Sequence, residues 1–204
     1  MKKLFVTGIG TDVGKTVVAA VLTEALQADY WKPVQAGDLD NTDTMKVQRL
    51  ISNKKSKFHK EAYALKHPMS PHAAAAKQQI EIEMDRIQQP STNNDLVTEG
   101  AGGLLVPLNN TNYIADLIRL FDAEPVLVIR HYLGSINHTL LSIKYLESLD
   151  VSFGWVILNG PANPASEAAI LRECPWPVMG RIPDARKLNR TFVTAQAEKI
   201  RKHL

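Results

Sequence analysis

The segment that most restricts the fold lies near the start of the chain: Leu4-Phe5-Val6-Thr7-Gly8-Ile9-Gly10-Thr11-Asp12-Val13-Gly14-Lys15-Thr16. A short apolar run, a glycine-rich turn and a Lys-Thr pair opening a helix make a cradle for phosphate. Backbone N–H groups of such a turn face an anion, the lysine reaches the outer phosphates, and the hydroxyl is a ligand for Mg²⁺. The positive end of the helix dipole adds to the attraction. The flanks agree: Leu4-Phe5-Val6 reads as a buried strand, and Val17 to Leu26 as a helix packed on a sheet. The general pattern would place its first glycine at position 9. Ile9 stands there, between Gly8 and Gly10, so the interval from Gly8 to Gly14 is one residue longer than the pattern.

Downstream, apolar runs of strand length alternate with helical segments. Tyr30–Val34, Leu96–Gly100, Pro125–Ile129, Phe153–Asn159 and Val178–Pro183 read as extended. Met45–Ile51, the stretch entered at Ser70-Pro71, Ile136–Leu149, Pro164–Arg172 and Thr191–His203 read as helical. Continuous rather than alternating apolar strands imply burial on both faces. Their alternation with helices implies a parallel sheet. The expectation is an α/β fold of the P-loop NTPase type: a mostly parallel central sheet flanked by helices, in three layers, with residues 1–204 as a single domain.

Charge and composition narrow the class. A net charge of +3 is mild, and the one basic run, Asn53 to Lys60, is short and interrupted. Neither argues for nucleic acid. A single cysteine, Cys174, forms no internal disulfide, which fits a reducing compartment. Met1-Lys2-Lys3 imitates the start of a leader, but the apolar stretch breaks at Thr7-Gly8 and no cleavage pattern follows. No run approaches the ~20 apolar residues of a membrane span. The chain reads as a cytoplasmic protein without a nucleic-acid or membrane partner.

Ligands of parallel α/β sheets bind at the carboxyl ends of the strands. Those ends carry the loop itself, Lys32, Glu99 and Asn159. Glu99 precedes Gly100-Ala101-Gly102-Gly103; a strand-end carboxylate beside a phosphate loop suits nucleotide-bound Mg²⁺, although it could equally face solvent. Asp43 could be a second carboxylate or cap the helix that begins near Thr44. Spacing does not choose among Asp38, Asp40 and Asp43. Lys32 has no evident carboxylate partner in sequence. It reads as an anion-stabilising group or as an exposed lysine covering apolar surface, and position alone favours the latter. Gly134-Ser135-Ile136-Asn137 opens a helix fit to hold a carboxylate, with Ser135 as a good N-cap. His72 and His138 show no metal spacing.

Together these pieces resemble the dethiobiotin synthetase family. The matching stretches are Val6–Thr16, Lys32-Pro33-Val34-Gln35-Ala36-Gly37, Thr42-Asp43-Thr44, Ser70-Pro71-His72, Glu99–Gly103 and Leu133–Leu141, in the family's order. The long glycine interval is that family's own. The resemblance implies an ATP-dependent cyclo-ligase that closes the ureido ring of dethiobiotin from 7,8-diaminononanoate (diaminopelargonate) and CO₂. The route is a carbamate and a carbamic–phosphoric anhydride, with release of ADP and phosphate. It implies that Lys15, Lys32 and Thr11 serve the chemistry, and that Asp12, Val13, Gly14, Lys15, Thr16, Val17 and Asn159 contact ATP. Thr16, Asp43 and Glu99 would hold Mg²⁺. Thr11, Lys32, Gly100, Ala101, Gly102, Gly103, Gly134, Ser135 and Asn137 would touch the diamine substrate, the last three across a homodimer interface.

The chain also departs from the family pattern. Asp12 stands where many members have Glu, and Ala36 replaces a serine of some members. Asn159 comes one residue late after Gly154-Trp155-Val156, and Arg181 is unexpected near the ribose. Two other readings compete. A partition or septum-positioning ATPase would carry an extra lysine early in the loop, where Ile9, Gly10 and Thr11 stand. A related amidoligase would not explain Gly134–Leu141. A GTPase is excluded because Gly160-Pro161 follows Asn159 instead of a guanine-reading motif.

Overall fold

In the computed structural model, which describes residues 1–149, 151 and 153–204, the first apolar run becomes β1 (Lys3–Gly8) and α1 (Lys15–Leu26) follows the loop. Chain order continues with β2 (Asp29–Trp31), β3 (Val34–Ala36), α2 (Asp43–Leu50), β4 (Phe58–His59), β5 (Tyr63–Leu65) and α3 (Pro71–Lys77). Then come β6 (Leu96–Glu99), α4 (Asp116–Leu120), β7 (Glu124–Ile129), α5 (Ser135–Ser148), β8 (Trp155–Asn159), α6 (Pro164–Glu173), β9 (Val178–Ile182) and α7 (Arg190–Ile200).

Seven strands form one sheet in the order β4-β2-β6-β1-β7-β8-β9, and every pairing in it is parallel. The expected fold class is therefore what the chain adopts. From β1 the chain crosses by α1 to β2, and from β7 by α5 to β8, in opposite directions along the sheet. Right-handed crossovers then put α1 and α5 on opposite faces. On the first face α1 packs against α7 and α2; on the second α5 packs against α6. The reversal falls between β1 and β7, the place where such sheets open a crevice for ligand.

α1 is buried from Val18 to Ala25, and its apolar character all round follows from being covered by sheet and helix alike. It stops at Gln27, which takes a left-handed conformation (φ 54) while the next N–H, of Ala28, returns to Thr23 O at 3.1 Å. β1 serves both layers: Leu4 and Val6 join one apolar cluster with α1, and Phe5 joins another with Trp31, Ile114 and Phe121.

The run expected at Tyr30–Val34 is broken into β2 and β3 at Lys32-Pro33. Proline lacks the N–H a ladder needs. The chain beyond it leaves the main sheet, and β3 pairs in parallel with β5 in a separate two-stranded sheet. The extended run expected from Phe153 begins only at Trp155, and α5 begins at Ser135. Trp31 is buried in the same apolar cluster as Val34 and Leu65 of the small sheet, its Nε1–H donating to Lys60 O at 3.0 Å. Among the described residues no helix is long and apolar enough to cross a membrane.

Candidate active site

The loop between β1 and α1 is shaped by contacts that leave no room for a side chain at Gly8 or Gly14. A Cβ on Gly8 would stand 2.5 Å from Val13 Cγ2. Gly14 caps α1 with φ 91, and a Cβ there would stand 2.1 Å from Asn159 Nδ2. Asn159, arriving on β8, donates that amide to Val13 O at 2.8 Å and so pins the loop from behind. Lys15 is the first residue of α1; its ammonium bends back to Gly10 O at 2.7 Å. Burial lowers the Lys15 pKa to about 8, with Glu99 pulling the other way.

The loop opens into a cavity of about 670 Å³ bounded by Thr11, Lys15, Thr16, Lys32, Asp43 and Glu99, among others. At its floor lies a charged network delivered by β2 and β6 and by the first turns of α1 and α2. Glu99, at the end of β6, is 1% exposed. Its Oε1 accepts from Thr16 Oγ1 at 2.8 Å and Lys32 Nζ at 3.0 Å, and its Oε2 from Tyr30 O–H at 2.7 Å. Lys32 also reaches Asp43 Oδ2 at 2.5 Å. Burial would depress the Lys32 pKa, but Glu99 and Asp43 outweigh it and the net direction is up. For Asp43, burial pushes upward and Lys32 and Lys46 overcome it, so its carboxyl is held below the ordinary value. Tyr30 is pushed well up, by burial first and then by the Glu99 charge.

The position-based preference for an exposed Lys32 is corrected by this geometry: the side chain is buried between two carboxylates 11 and 67 residues away. Nor is Asp43 the cap of its helix. Thr42 is, accepting from Met45 N at 3.2 Å, which leaves Asp43 in the first turn facing the cavity. Asp43 N donates to Gln35 Oε1 at 3.2 Å, fixing the helix start to β3. The helix of Gly134–Leu141 is likewise capped by Gly134 (φ 99), not Ser135, which lies buried inside its first turn.

Thr11 and Asp12 stand exposed on the cavity rim. Within Gly100–Gly103 only Ala101 and Gly102 line the cavity. A Cβ on Gly100 would press on the Phe5 ring at 2.9 Å, and Gly103 packs toward Gly8 and Gly10. Gly134, Ser135 and Asn137 do not line the cavity; they sit on the shoulder where Tyr132 approaches Gly10. Val17 lines a neighbouring groove. Arg181 pairs with Glu167 and donates to Gly160 O and Pro161 O at 3.2 and 3.3 Å, bracing the turn after Asn159. Tyr30, Gln35 and Lys46 also belong to the network, unforeseen from the sequence. Lys46, three residues after Asp43 on one helix, had a signal in its spacing; Tyr30 and Gln35 had none.

Thr16, Asp43 and Glu99 offer one hydroxyl and two carboxylates, hard oxygen donors suited to Mg²⁺ sharing its shell with phosphate and water. Among the described residues no group of three His, Cys, Asp or Glu forms an all-protein metal site. A phosphate cradle, a buried lysine and two carboxylates on one parallel-sheet edge define a P-loop nucleotide-dependent enzyme.

The comparisons specify it further. A sequence model of the AAA domain family matches residues 2–191. The chain is 54% identical to the ATP-dependent dethiobiotin synthetase BioD of Christiangramia forsetii over 203 residues, covering 100% of this chain and 98% of that one. It is 51% identical to the protein of the same name from Cytophaga hutchinsonii, covering 98% and 97%. The chain belongs to the ATP-dependent dethiobiotin synthetase family. Among solved structures, a ParA family ATPase from Chlorobium tepidum superposes with a TM-score of 0.60 at 12% identity, covering 97% of this chain and 98% of that one. The MinC:MinD cell division protein complex of Aquifex aeolicus superposes at 0.58 and 16%, covering 100% and 93%. At such identities these two share the fold alone.

Proposed function

We propose that this protein uses ATP to close the ureido ring of dethiobiotin from 7,8-diaminononanoate and CO₂. The observation that carries the reading is Lys32, buried against Asp43 and Glu99 on the floor of the cavity that Lys15 and Thr16 also enter. One substrate amine adds to CO₂ and loses a proton, giving a carbamate. The carbamate oxygen attacks the γ-phosphorus and ADP departs, leaving a carbamic–phosphoric anhydride. The second amine attacks the carbonyl carbon, phosphate departs, and the ring is closed.

The chain's part is positioning and charge neutralisation, the main catalytic means in phosphoryl transfer. Lys15 leaves Gly10 O for the outer phosphates. Lys32, held protonated by its carboxylates, faces the carbamate and the transferred phosphoryl group. Thr11, Ala101 and Gly102 border the diamine, while Gly100 and Gly103 let the backbone approach it. Asp12 to Val17 follow the triphosphate, and Asn159 places the adenine end. Bound through Thr16, Asp43 and Glu99, Mg²⁺ would supply charge to the phosphates. The helix start at Gly134, Ser135 and Asn137 would hold the substrate carboxylate of a homodimeric partner. The exposed Tyr132, Leu133, Ile136 and Leu141 beside it support that pairing. The mild charge and single cysteine support a cytoplasmic setting.

The test is ADP release with diaminopelargonate and bicarbonate added separately and together. ADP and dethiobiotin should appear only with both, and Lys32→Ala should abolish product while ATP still binds. ADP release indifferent to the diamine, without a ureido product, would sink the reading.

A further inference from the structure

Lys46 has no role in the scheme above, yet it holds half of a carboxylate that the scheme needs. Asp43 is capped on both oxygens: Oδ2 by Lys32 at 2.5 Å and Oδ1 by Lys46 at 3.0 Å. Neither oxygen is free of a lysine. A divalent cation on Asp43 would set its charge beside both ammoniums, and that repulsion favours the departure of one of them. They are not equally movable. The Lys32 side chain is 6% exposed and tied to Glu99 as well; that of Lys46 is 32% exposed, and its second contact, Asp38, is loose at 3.8 Å. Lys46 is the one that can swing on its four-carbon stem.

Its location says where it would go. A second groove, about 610 Å³, runs between the first turn of α1, the α2 residues Arg49 and Leu50, and the start of α7. Thr16 and Lys46 are the residues common to this groove and the cavity. Phosphates cradled by the loop would lie near Thr16, and because Lys46 lines both hollows with it, an ammonium released from Asp43 could turn toward them.

We propose that Lys46 is a nucleotide-phosphate ligand, exchanging Asp43 for the triphosphate when a divalent cation arrives. The inference rests on the ATP-binding reading and adds a third lysine to it. It makes the contribution of Lys46 conditional on the metal, because without the cation Asp43 keeps its hold.

The experiment is calorimetric titration of ATP into the full chain, with Mg²⁺ and with chelator, for the parent protein, Lys46→Ala, Lys46→Gln and Lys46→Arg. Lys46→Ala and Lys46→Gln should raise the Kd for Mg-ATP about tenfold, about 1.4 kcal/mol. Their Kd for metal-free ATP should stay within about twofold of the parent's. Lys46→Arg should retain most of the Mg-ATP affinity, since a cation of similar reach remains. An unchanged Mg-ATP Kd in Lys46→Ala, or an equal loss with and without the metal, overturns the exchange. Normal binding by the parent with flat variants defeats this inference alone; failure of the parent to bind Mg-ATP defeats the underlying reading.

Discussion

At the residue scale, Lys15 shows how a phosphate cradle manages its own lysine. The ammonium is buried and borrows a loop carbonyl, and its pKa falls to about 8. A triphosphate would raise that value again by placing negative charge beside the ammonium. The sign follows: above the free value Lys15 is largely neutral, and ATP binding must draw a proton from solution. At about pH 9, binding enthalpies measured in two buffers of different ionisation heat should report net proton uptake, shrinking toward zero by about pH 7. Buffer-independent enthalpy at the higher pH would contradict the buried-ammonium account. Lys15 and Thr16 were legible because loop chemistry is local. Lys32 was named from its strand end and the family resemblance, but its burial between Asp43 and Glu99 was not legible, because those partners come from α2 and β6 and only the folded sheet brings them together.

At the element scale, the loop is held by β8 as much as by its own glycines. Asn159 both donates to Val13 O and occupies the space a Gly14 side chain would need. Gly14→Ala should therefore lower ATP affinity and cost more than about 1 kcal/mol of stability, through a clash and through a left-handed φ that alanine resists. Adding Asn159→Ala removes the clash but not the backbone strain, so the double variant should recover stability only in part. Full recovery, read by thermal melting, would show that backbone conformation has no share. This dependence on β8 was hidden in the sequence, because Val13 and Asn159 stand 146 positions apart and no local motif links them. The small β3–β5 sheet was hidden for a similar reason. Its strands are three residues each, too short for a hydrophobic period to declare itself.

At the scale of the whole molecule, the fold was legible, whereas a second copy entered only through the family resemblance. Apolar strands alternating with helices leave a parallel sheet as the solution that buries both faces, and β1, β6, β7, β8 and β9 all fell where apolar runs stood. A single chain's sequence gives no comparable pattern for a second copy. The structure does leave Leu133 fully exposed beside Tyr132, Ile136 and Leu141, on the shoulder that carries Gly134 and Asn137. Sedimentation at micromolar concentration should show a dimer, and Leu133→Asp should shift it toward monomer while raising the KM for diaminopelargonate and sparing the ATP Kd. A parent protein that sediments as a monomer would remove the paired-site arrangement.

Trp31, buried next to Lys32 and tied by its indole N–H to Lys60 O, has one more consequence. An indole one residue from the buried Lys32 ammonium would feel a rearrangement of that charge as a change in its local field. Trp31 shares the protein's ultraviolet emission with Trp155 and Trp176, so a label-free change on filling the cavity should be present in the parent protein and lost in Trp31→Phe.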